Sequence, residues 1–583
     1  MSNRRFGIDL GTTNTCVYYA SFSAIGPKEE REESWNITHV NVLYENKGDL
    51  MNTRVSHLLP SIVYGRKQDD GKYKYYIGEV AEKMAYSDGA STLINTKRLM
   101  CNDDQAIALP FGLDAESVAR ILLEGCYYSI KQDVKRETTR LSADYCITQP
   151  AAFSLFASNS VFSAALKAGI PKEPDPLREP IAALLSYIYE EMVEEKESVL
   201  LEKQKKHDNR LLTVVVDIGG GTTDVAIQEI AITGQRSVLN DETTTCTGYV
   251  VDFLGVVKEH DTDGGVASTN IEPAFGGLDF DNEILNRVAQ RIDNLYFEKT
   301  GKRINWEDDG RAILSQGLYK QIKDYKELLS GYSEGTEPEL EIALQWPERL
   351  ECTATAAEVY EWTEALCQRN EGKPHSKKTV YEIIRNTIER SGYKVDDIDF
   401  IYVTGGMSSF RPIRTMLKKR FSQLDQAGGL VFSKTPLEDI ARGAAVCDTF
   451  FKVKMQQSVL FYDLMIDDPC GEPKIIVRAN TPLPAADTLE KFMKIRNPAY
   501  CYIDVLYGHG PKSDDLRKAR SIRQRIPPTA FDSDISVRYS IDEHNNLDMT
   551  LIIHRGPKDK DLEIKLIQLI NHINLTEGDK NNG

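Results

Sequence analysis

The stretch that decides the fold is Asp217-Ile-Gly-Gly-Gly-Thr-Thr-Asp224, which begins inside the apolar run Leu212–Ile218. A β-branched run of this length predicts a buried strand, and the glycines after it predict a tight turn. Glycine lets the backbone approach phosphate oxygens closely, and the amide N–H groups and threonine hydroxyls can then donate hydrogen bonds to them. The stretch therefore predicts a phosphate-binding hairpin.

The same pattern occurs near the start of the sequence, where the apolar run Phe6–Leu10 leads into Asp9-Leu-Gly-Thr-Thr13. A third apolar run, Phe400–Val403, leads into Thr404-Gly-Gly-Met407. One such turn alone would be weak support, because most Gly-Thr turns bind nothing. Two similar hairpins about two hundred residues apart indicate two related lobes rather than a solenoid, whose repeats recur every 20 to 50 residues or so. Two facing hairpins could bind a triphosphate from both sides.

Length and composition indicate an ordinary globular protein with several cores. The chain has 583 residues, of which 41% are hydrophobic and 27% charged, so three or four compact units are expected. The net charge of −17 argues against sequence-independent nucleic-acid binding, although a local basic groove stays open. No signal-peptide pattern or long apolar span is found, so we expect a cytoplasmic protein without a membrane partner. Ten cysteines without a CxxC pair predict reduced thiols.

Periodicity divides the chain into a mixed α/β part and a β part. Helices are predicted at Ala115–Lys135, Ser158–Ala168, Asp279–Tyr296, Ala312–Leu329 and Lys377–Ser391. The charged stretch Glu190–Asn209 predicts a solvent-exposed helical extension. Short alternating runs from Lys474 to His554 predict an antiparallel β domain.

An apolar segment, Val459–Ile466, separates the two parts. Flexible linkers are polar or rich in glycine and serine, so a segment this apolar is expected to dock on another surface. The predicted organisation is a nucleotide-binding domain at 1–452, an apolar linker at 453–469, a β-sandwich at 470–565 and a short polar tail at 566–583.

Neither a GxxxxGK[ST] loop nor a strand–GxGxxG–helix motif occurs, which removes the main support for P-loop and Rossmann folds. The three glycine turns in this order resemble the ATPase domain of the heat shock protein 70 family, within the actin and sugar-kinase superfamily. Five further segments between about residues 5 and 450 carry the resemblance: Thr96–Leu99, Ile147–Ala151, Arg178–Ala183, Phe275–Asp281 and Pro436–Val446.

The resemblance implies an α/β, actin-like, two-lobed ATPase domain built from duplicated ribonuclease H-like lobes, followed by a small antiparallel β-sandwich. The β part resembles the peptide-binding domain of the family more faintly, through Arg478–Pro484, Ile503–Gly508 and Ile526–Pro528. Fewer than thirty residues follow His554, which is too few for the helical lid of the family.

The site residues follow from the same resemblance. Mg²⁺ is expected near Asp9, Glu179 and Asp217, mainly through water, as this ion prefers. Lys97 is expected to neutralise charge on the γ-phosphoryl group, because phosphoryl transfer is catalysed by positioning and electrostatics. The catalytic set is Lys97, Glu179, Asp217 and Thr222, with Asp217 or Asp224 orienting the attacking water. ATP or ADP is expected to contact Gly11, Thr12, Thr13, Asn14, Gly219, Gly220, Gly221, Thr222, Thr223, Gly277, Lys326, Ser330, Gly405, Gly406, Met407 and Arg411.

The adenosine side departs from the family pattern. Glu327 stands where an arginine normally stacks on the base, and Leu437 stands where an acidic residue is usual. The segment after Gly406 has one extra residue, which leaves the reach of Arg411 to the adenine open. Asp281 is interpreted as an acid in the first turns of a helix and is left out of the site. These departures concern nucleotide affinity and base choice more than phosphate chemistry.

The predicted function is a divergent chaperone that slowly hydrolyses ATP to switch protein or peptide binding by its β domain. The resemblance implies a client protein, a J-domain-type co-chaperone and a nucleotide exchange factor as partners. Three alternatives stay open: an actin-like protein that polymerises with ATP, a small-molecule kinase, and a nucleotide-binding scaffold with little hydrolysis. Light scattering after ATP addition, phosphate release without an acceptor, and single-turnover hydrolysis by Lys97→Ala would separate them.

Overall fold

The computed structural model describes most of the chain. Described are residues 4–25, 32–44, 54–88, 109–136, 143–150, 155–171, 174–193, 197–207, 209–220, 223–241, 244–254, 275–306, 317–345, 348–368, 378–455, 458–459, 463–467, 473–478, 481–508, 510–512, 516–541, 547–555 and 560–566.

The strands and helices alternate over the first three quarters of the chain, and strands alone follow. The strands are β1 (Arg4–Leu10), β2 (Asn14–Ile25), β3 (Glu32–His39), β4 (Val42–Tyr44), β5 (Arg54–Ser56), β6 (Leu58–Pro60), β7 (Val63–Lys67), β8 (Tyr73–Ile77), β9 (Asp144–Gln149), β10 (Asp175–Arg178), β11 (Leu211–Ile218), β12 (Thr223–Asp241), β13 (Thr244–Phe253), β14 (Leu340–Leu344), β15 (Leu350–Ala354), β16 (Phe400–Thr404), β17 (Leu430–Phe432), β18 (Phe451–Met455), β19 (Ser458–Val459), β20 (Asp463–Asp467), β21 (Lys474–Val477), β22 (Pro482–Leu483), β23 (Ala485–Lys494), β24 (Tyr500–Gly508), β25 (Arg517–Arg525), β26 (Asp534–Ile541), β27 (Leu547–His554) and β28 (Leu562–Leu566). The α-helices are Gly78–Asp88, Ala115–Arg136, Leu155–Lys167, Glu179–Val193, Glu197–Lys206, Gly277–Thr300, Leu318–Leu329, Ala356–Gln368, Val380–Arg390, Arg411–Arg420, Ser422–Gln426 and Asp439–Val446.

The first large sheet has the strand order β10-β9-β1-β2-β3, with β6 also paired to β2. Strand β1 runs antiparallel to β2 and parallel to β9. Phe6, Ile8 and Leu10 of β1 are buried in one core, as the apolar run predicts. Because β1 and β9 are parallel, Asp9 and Gln149 lie near the same edge of the sheet.

The second large sheet has the strand order β17-β16-β11-β12-β13-β18. Strand β11 runs antiparallel to β12 and parallel to β16, so β13-β12-β11-β16-β17 repeats the order β3-β2-β1-β9-β10. The strand order around the first glycine hairpin therefore recurs around the second. This recurrence agrees with the internal similarity of the sequence.

Two helices, Glu179–Val193 and Asp439–Val446, pack against each other through small residues. A Cβ atom added to Gly443 would overlap the backbone of Ala182, so only glycine fits at this crossing. A Cβ atom on Gly7 of β1 would likewise overlap the backbone of Ala441. The helix Asp439–Val446, which is buried along its whole length, therefore packs directly on the first sheet.

The last part of the chain forms two four-stranded antiparallel sheets, β21-β20-β24-β25 and β23-β26-β27-β28. Both sheets contribute side chains to one core, including Ile503 and Val505 from the first sheet and Val537 and Leu551 from the second. Strand β23 carries an irregularity in its pairing with β26 between Leu489 and Met493.

Two expectations about surface segments need correction. Residues 453–455 of the expected linker lie in β18 of the second large sheet, and 463–467 form β20 of a C-terminal sheet. Leu464 and Ile466 are buried in the core of the C-terminal sheets, so this half of Val459–Ile466 is structural. An apolar octapeptide predicts a buried strand as readily as a docking segment. In the structure residues 463–466 of this segment belong to a buried strand.

The charged helical extension Glu190–Asn209 is also less exposed than expected. Its side chains Leu200 and Gln204 are buried, and the Gln204 amide exchanges hydrogen bonds with the backbone N–H and C=O of Ile232 at 2.8 and 3.0 Å. In the part of the chain described above, no helix is both long and apolar enough to cross a membrane. The cysteines described are free and buried.

Candidate nucleotide and metal site

The two glycine-threonine hairpins meet. A Cβ atom on Gly220 would overlap the Thr13 hydroxyl oxygen, which places the second hairpin directly against the first. On Gly11 a Cβ atom would overlap the carbonyl of Asn14, so glycine is required for the tightness of the first turn. Thr12 and Thr13 form the bend between β1 and β2, and Asn14 begins β2.

The segment before the helix Gly277–Thr300 closes onto the second hairpin. The amide N–H groups of Gly277 and Leu278 donate to the carbonyl oxygens of Gly219 and Gly220 at 3.0 and 2.6 Å. A Cβ atom on Gly277 would lie 3.2 Å from Gly220 Cα, from Lys326 Nζ and from Met407 Cγ. The structure therefore brings together four of the predicted positions, which come from four separate segments.

The third glycine turn packs on the second hairpin as well. Gly405 has φ 81°, and a Cβ atom there would overlap the Asp217 carboxylate and the Ile218 carbonyl. A Cβ atom on Gly406 would lie 3.1 Å from Cδ2 of Leu437, the residue that departs from the family pattern. The third turn is therefore in contact with the carboxylate at the end of β11.

Three carboxylates converge at this point. Glu179, Asp217 and Asp224 each offer an oxygen within 4.8 Å of the others, and Glu179 is 2% exposed. Carboxylate oxygens are the ligands that Mg²⁺ prefers, and a cation would offset the repulsion among three close negative charges. These residues therefore fit a magnesium ion.

Asp9 lies at the end of β1, directly before the first hairpin. It is 8% exposed, and the Thr148 hydroxyl donates to its Oδ1 atom at 3.2 Å. The cluster of three carboxylates includes Asp224 in place of Asp9. Gln149, next to Thr148, has a buried amide Nε2 without a hydrogen-bond partner among the described residues.

Two of the predicted contacts have protein partners in the structure. Thr223 is 4% exposed, and its hydroxyl donates to the Phe275 carbonyl at 2.9 Å. Lys326 is 7% exposed, forms an ion pair with Asp281 at 2.7 Å and donates to the Gly277 carbonyl at 3.1 Å. Sequence reasoning set Asp281 aside as a helix acid. Its position in the sequence could have indicated the role. Asp281 is the second carboxylate after Gly276-Gly277, one turn into the helix Gly277–Thr300.

A second polar cluster that sequence reasoning missed lies behind the third turn. Asp439 is fully buried and accepts hydrogen bonds from the hydroxyls of Tyr402 at 2.8 Å and Thr404 at 2.5 Å. Arg442 donates to Asp439 at 2.8 Å and forms an ion pair with Glu190 at 2.5 Å. Burial opposes the charge on Arg442, but the carboxylates of Asp439 and Glu190 outweigh it and raise the pKa of the guanidinium. This cluster joins β16 to both crossing helices.

The predicted adenosine contacts are more scattered. Ser330 is exposed and caps the end of the helix Leu318–Leu329, and Glu327 is exposed one turn earlier. Arg411 forms an ion pair with Glu337 and donates to the Tyr332 carbonyl at 3.3 Å. Its guanidinium therefore has partners on the segment that follows the helix.

The same helix also contacts the helix Gly78–Asp88. Lys323 donates to the Glu82 carboxylate at 3.3 Å, and Lys320 lies 3.8 Å from it. Glu82 is 6% exposed, so this ion pair is largely shielded from solvent. It connects a helix that lies between strands β6 and β9 of the first sheet in the chain to a helix that lies between strands β13 and β16 of the second.

Three predicted residues, Lys97, Gly221 and Thr222, lie outside the described residues. A comparison with protein-family models matches residues 255–564 to the family described as Hsp70 protein. The match covers more than half of the chain. It includes Gly277, Lys326 and the third glycine turn, and it continues through the two C-terminal sheets.

Proposed function

The chain belongs to the Hsp70 family, and from that premise we propose that it is an ATP-dependent chaperone. The family consists of ATPases that bind client proteins and co-chaperones. The observation that carries the proposal is the contact of Gly220 with Thr13, beside the three carboxylates Glu179, Asp217 and Asp224. Two phosphate-binding hairpins in contact, with a cation-binding cluster that includes both ends of the second hairpin, suit a nucleoside triphosphate with magnesium.

Hydrolysis in this proposal depends on positioning. The backbone N–H groups of both hairpins and the hydroxyls of Thr12, Thr13 and Thr222 donate to phosphate oxygens. Glu179, Asp217 and Asp224, together with Asp9 at the end of β1, would hold magnesium mainly through water, and the ion would supply charge neutralisation for phosphoryl transfer. Lys97 adds a further positive charge, and Asp217 or Asp224 orients the attacking water.

Lys326 and Asp281 act on the nucleoside side of the proposed site. The ammonium group is fixed by Asp281 and by the Gly277 carbonyl, so one of its hydrogen atoms is available to a ribose hydroxyl. Both partners are almost fully buried, which keeps the ammonium in one position. Asp281 is therefore proposed as a positioning residue.

The proposed switch connects the second large sheet to the C-terminal sheets. Strand β18 is paired with β13 of the large sheet, and β20 is paired with β24 of the C-terminal domain. Only residues 456–462 separate β18 from β20 in the chain. A movement of β18 would therefore act on β20 through a short segment. Nucleotide-dependent closure of the two hairpins would thereby alter client binding by the C-terminal sheets.

Single-turnover release of γ-phosphate tests the chemistry. Excess protein is mixed with radiolabelled ATP and magnesium, and ATP affinity is measured separately by calorimetry. We expect Lys97→Ala and Asp217→Asn each to slow hydrolysis by about 100-fold or more, because each removes charge stabilisation from the transition state. The exposed Lys205→Ala serves as a matched control. Wild-type hydrolysis rates from both site variants would contradict the proposed mechanism.

A second candidate, a nucleotide-binding scaffold with little hydrolysis, is favoured by one observation. Arg411 is engaged by Glu337 and by the Tyr332 carbonyl, on the side where a stacking guanidinium is expected. The base would then lack that contact and bind more weakly. ATP binding without release of γ-phosphate over many hours would favour the scaffold over the chaperone.

A further inference from the structure

The edge strand β25 is the most basic strand of the molecule's described part. Its nine residues, RKARSIRQR, include four arginines and one lysine and no acidic residue. The whole chain has a net charge of −17, so this concentration of positive charge runs against the overall composition. A local basic strand in an acidic protein indicates a surface with a specific electrostatic partner.

The position of β25 in its sheet leaves one side of its backbone unpaired. The sheet order is β21-β20-β24-β25, and within the described ranges β25 pairs with β24 alone. An edge strand presents a row of N–H and C=O groups to which another extended chain can pair. Such strand addition is a common way of recognising extended peptides.

The exposed side chains of β25 are arranged for an anionic partner. Arg523 and Arg525 are exposed and two residues apart, so both point to the same face of the sheet. Within the described part of the chain neither has a carboxylate at ion-pair distance, whereas Lys518 is paired with Asp504 at 2.5 Å. Arg523 lies 3.9 Å from the centre of the Tyr500 ring and 5.9 Å from that of Tyr502. These stacking contacts restrict the guanidinium before any partner binds.

We infer that β25 binds an acidic, extended protein segment as an additional strand. Main-chain hydrogen bonds from the free edge supply affinity, and Arg523 and Arg525 select carboxylates spaced two residues apart on the added strand. The inference names a client class for the C-terminal sheets and in that respect rests on the proposed function.

A nucleic acid fits this surface less well. Bases bind single-stranded sites by stacking on successive open aromatic faces, but Arg523 covers the Tyr500 ring and leaves Tyr502, 38% exposed, as the one open ring of this pair. A phosphate backbone has no N–H groups to pair with a strand edge, and the acidic remainder of the chain would repel it. The same positive charges repel a second copy of β25, which discourages self-association of this edge.

The test measures peptide binding by the full chain without added nucleotide. The probe is a fluorescent nine-residue peptide in which glutamate alternates with valine and threonine, and binding is followed by anisotropy. We expect the double variant Arg523→Glu/Arg525→Glu to weaken binding about tenfold or more, because attraction becomes repulsion. Lys560→Glu/Lys565→Glu is the matched control, with Lys565 in the edge strand β28 of the other sheet and Lys560 two residues before it, and should change affinity less than about twofold.

Three further probes separate the explanations. A lysine version of the peptide should not bind, and an acidic peptide with alternate backbone nitrogens methylated should lose most of its affinity, because it cannot complete the ladder. Undiminished binding of the methylated peptide would overturn strand addition. Equal or tighter binding of a nine-nucleotide oligothymidine would overturn the assignment to a protein segment. ATP turnover is measured in parallel and tests only the proposed ATPase activity. Peptide binding tests only the proposed strand addition, so a failure of one proposal can be told from a failure of the other.

Discussion

At the residue scale, the ion pair of Lys326 and Asp281 lies in a nearly water-free environment, with both side chains under 10% exposed. Removing one partner of a buried pair leaves the other charge uncompensated, which costs about 3–5 kcal/mol. Asp281→Asn should therefore lower the free energy of unfolding by that order, as measured by urea denaturation. The double variant Lys326→Met/Asp281→Leu should recover much of the loss. Wild-type stability of Asp281→Asn would show that the pair is solvated.

A second prediction at this scale concerns pH. Arg291 donates to Glu358 at 2.7 Å, and the backbone N–H of Thr355 donates to it at 2.9 Å. The Arg291 hydrogen bond and these contacts lower the pKa of Glu358 to about 2, from an ordinary value of 4.5. A carboxyl group whose pKa is lowered by folding stabilises the fold above its unfolded pKa. That stabilisation is lost as the pH falls from about 4.5 to about 2.

Glu358→Gln should therefore be less stable than the wild type at neutral pH and equally stable near pH 2. The side chain is more than one-third exposed, so the difference at pH 7 should stay below about 1 kcal/mol. Urea midpoints measured at a series of pH values give the comparison. Glu361→Gln, on the exposed side of the same helix, is the matched control for removal of a carboxylate.

The role of a single residue was predictable from the sequence where it depends on residues close to it in the chain. Asp217 and the glycines of the hairpins were found because strand, turn and side-chain chemistry lie within eight residues of each other. The pairing of Lys326 with Asp281, and of the Thr223 hydroxyl with Phe275, depends on residues about fifty positions apart. No local pattern contains that information.

At the scale of elements, the crossing of helices Glu179–Val193 and Asp439–Val446 depends on Gly443. A Cβ atom at this position has no room beside the Ala182 backbone, and backbone cannot rotate away as a side chain can. Gly443→Ala should separate the helices and destabilise the fold by about 1–3 kcal/mol, measured by thermal unfolding. Gly331→Ala is the control, because a Cβ atom there would lie 3.6 Å from its nearest neighbour, in ordinary contact. An equal loss of stability in Gly443→Ala and Gly331→Ala would argue against close packing where the two helices cross.

The junction between the two parts of the chain shows where element-scale prediction fails. The apolar character of Val459–Ile466 was recognised, but its burial partner could not be read from the run itself. In the structure Leu464 and Ile466 pack in the C-terminal core, so deletion of this segment would remove a strand rather than uncouple two domains. A test of the proposed coupling between nucleotide state and client binding must therefore substitute residues outside 463–467.

At the scale of the whole molecule, Glu82 connects the helix Gly78–Asp88 to the helix Leu318–Leu329 through Lys323 and Lys320. If these helices close over a nucleotide, Glu82→Gln should accelerate nucleotide release, by about fivefold for a partly shielded pair. Stopped-flow release of a fluorescent ADP analogue measures it. Asp324→Asn removes an ion pair within one helix and is the matched control. A release rate unchanged by Glu82→Gln would show that this contact does not retain the nucleotide.

The architecture at this scale was accessible to sequence reasoning because it is repeated. The recurrence of a strand, an aspartate and a glycine turn predicted two related halves, and the two large sheets share one strand order. The helix Asp439–Val446 packs on the first sheet although it lies in the chain between strands β17 and β18 of the second, and this was not predictable in the same way. Its placement depends on Gly7 and Gly443 meeting backbone from distant segments.

The position of β18 has a consequence for how the protein is made. This strand completes the second large sheet by pairing in parallel with β13, although about two hundred residues separate the two strands. At translation speeds of about 5–20 residues per second, the ribosome needs roughly 10–40 seconds to add that stretch. During this interval the edge of β13 lacks its final neighbour in the nascent chain. The nascent chain would therefore expose an unpaired strand edge, to which another extended chain can pair, until β18 has been synthesised.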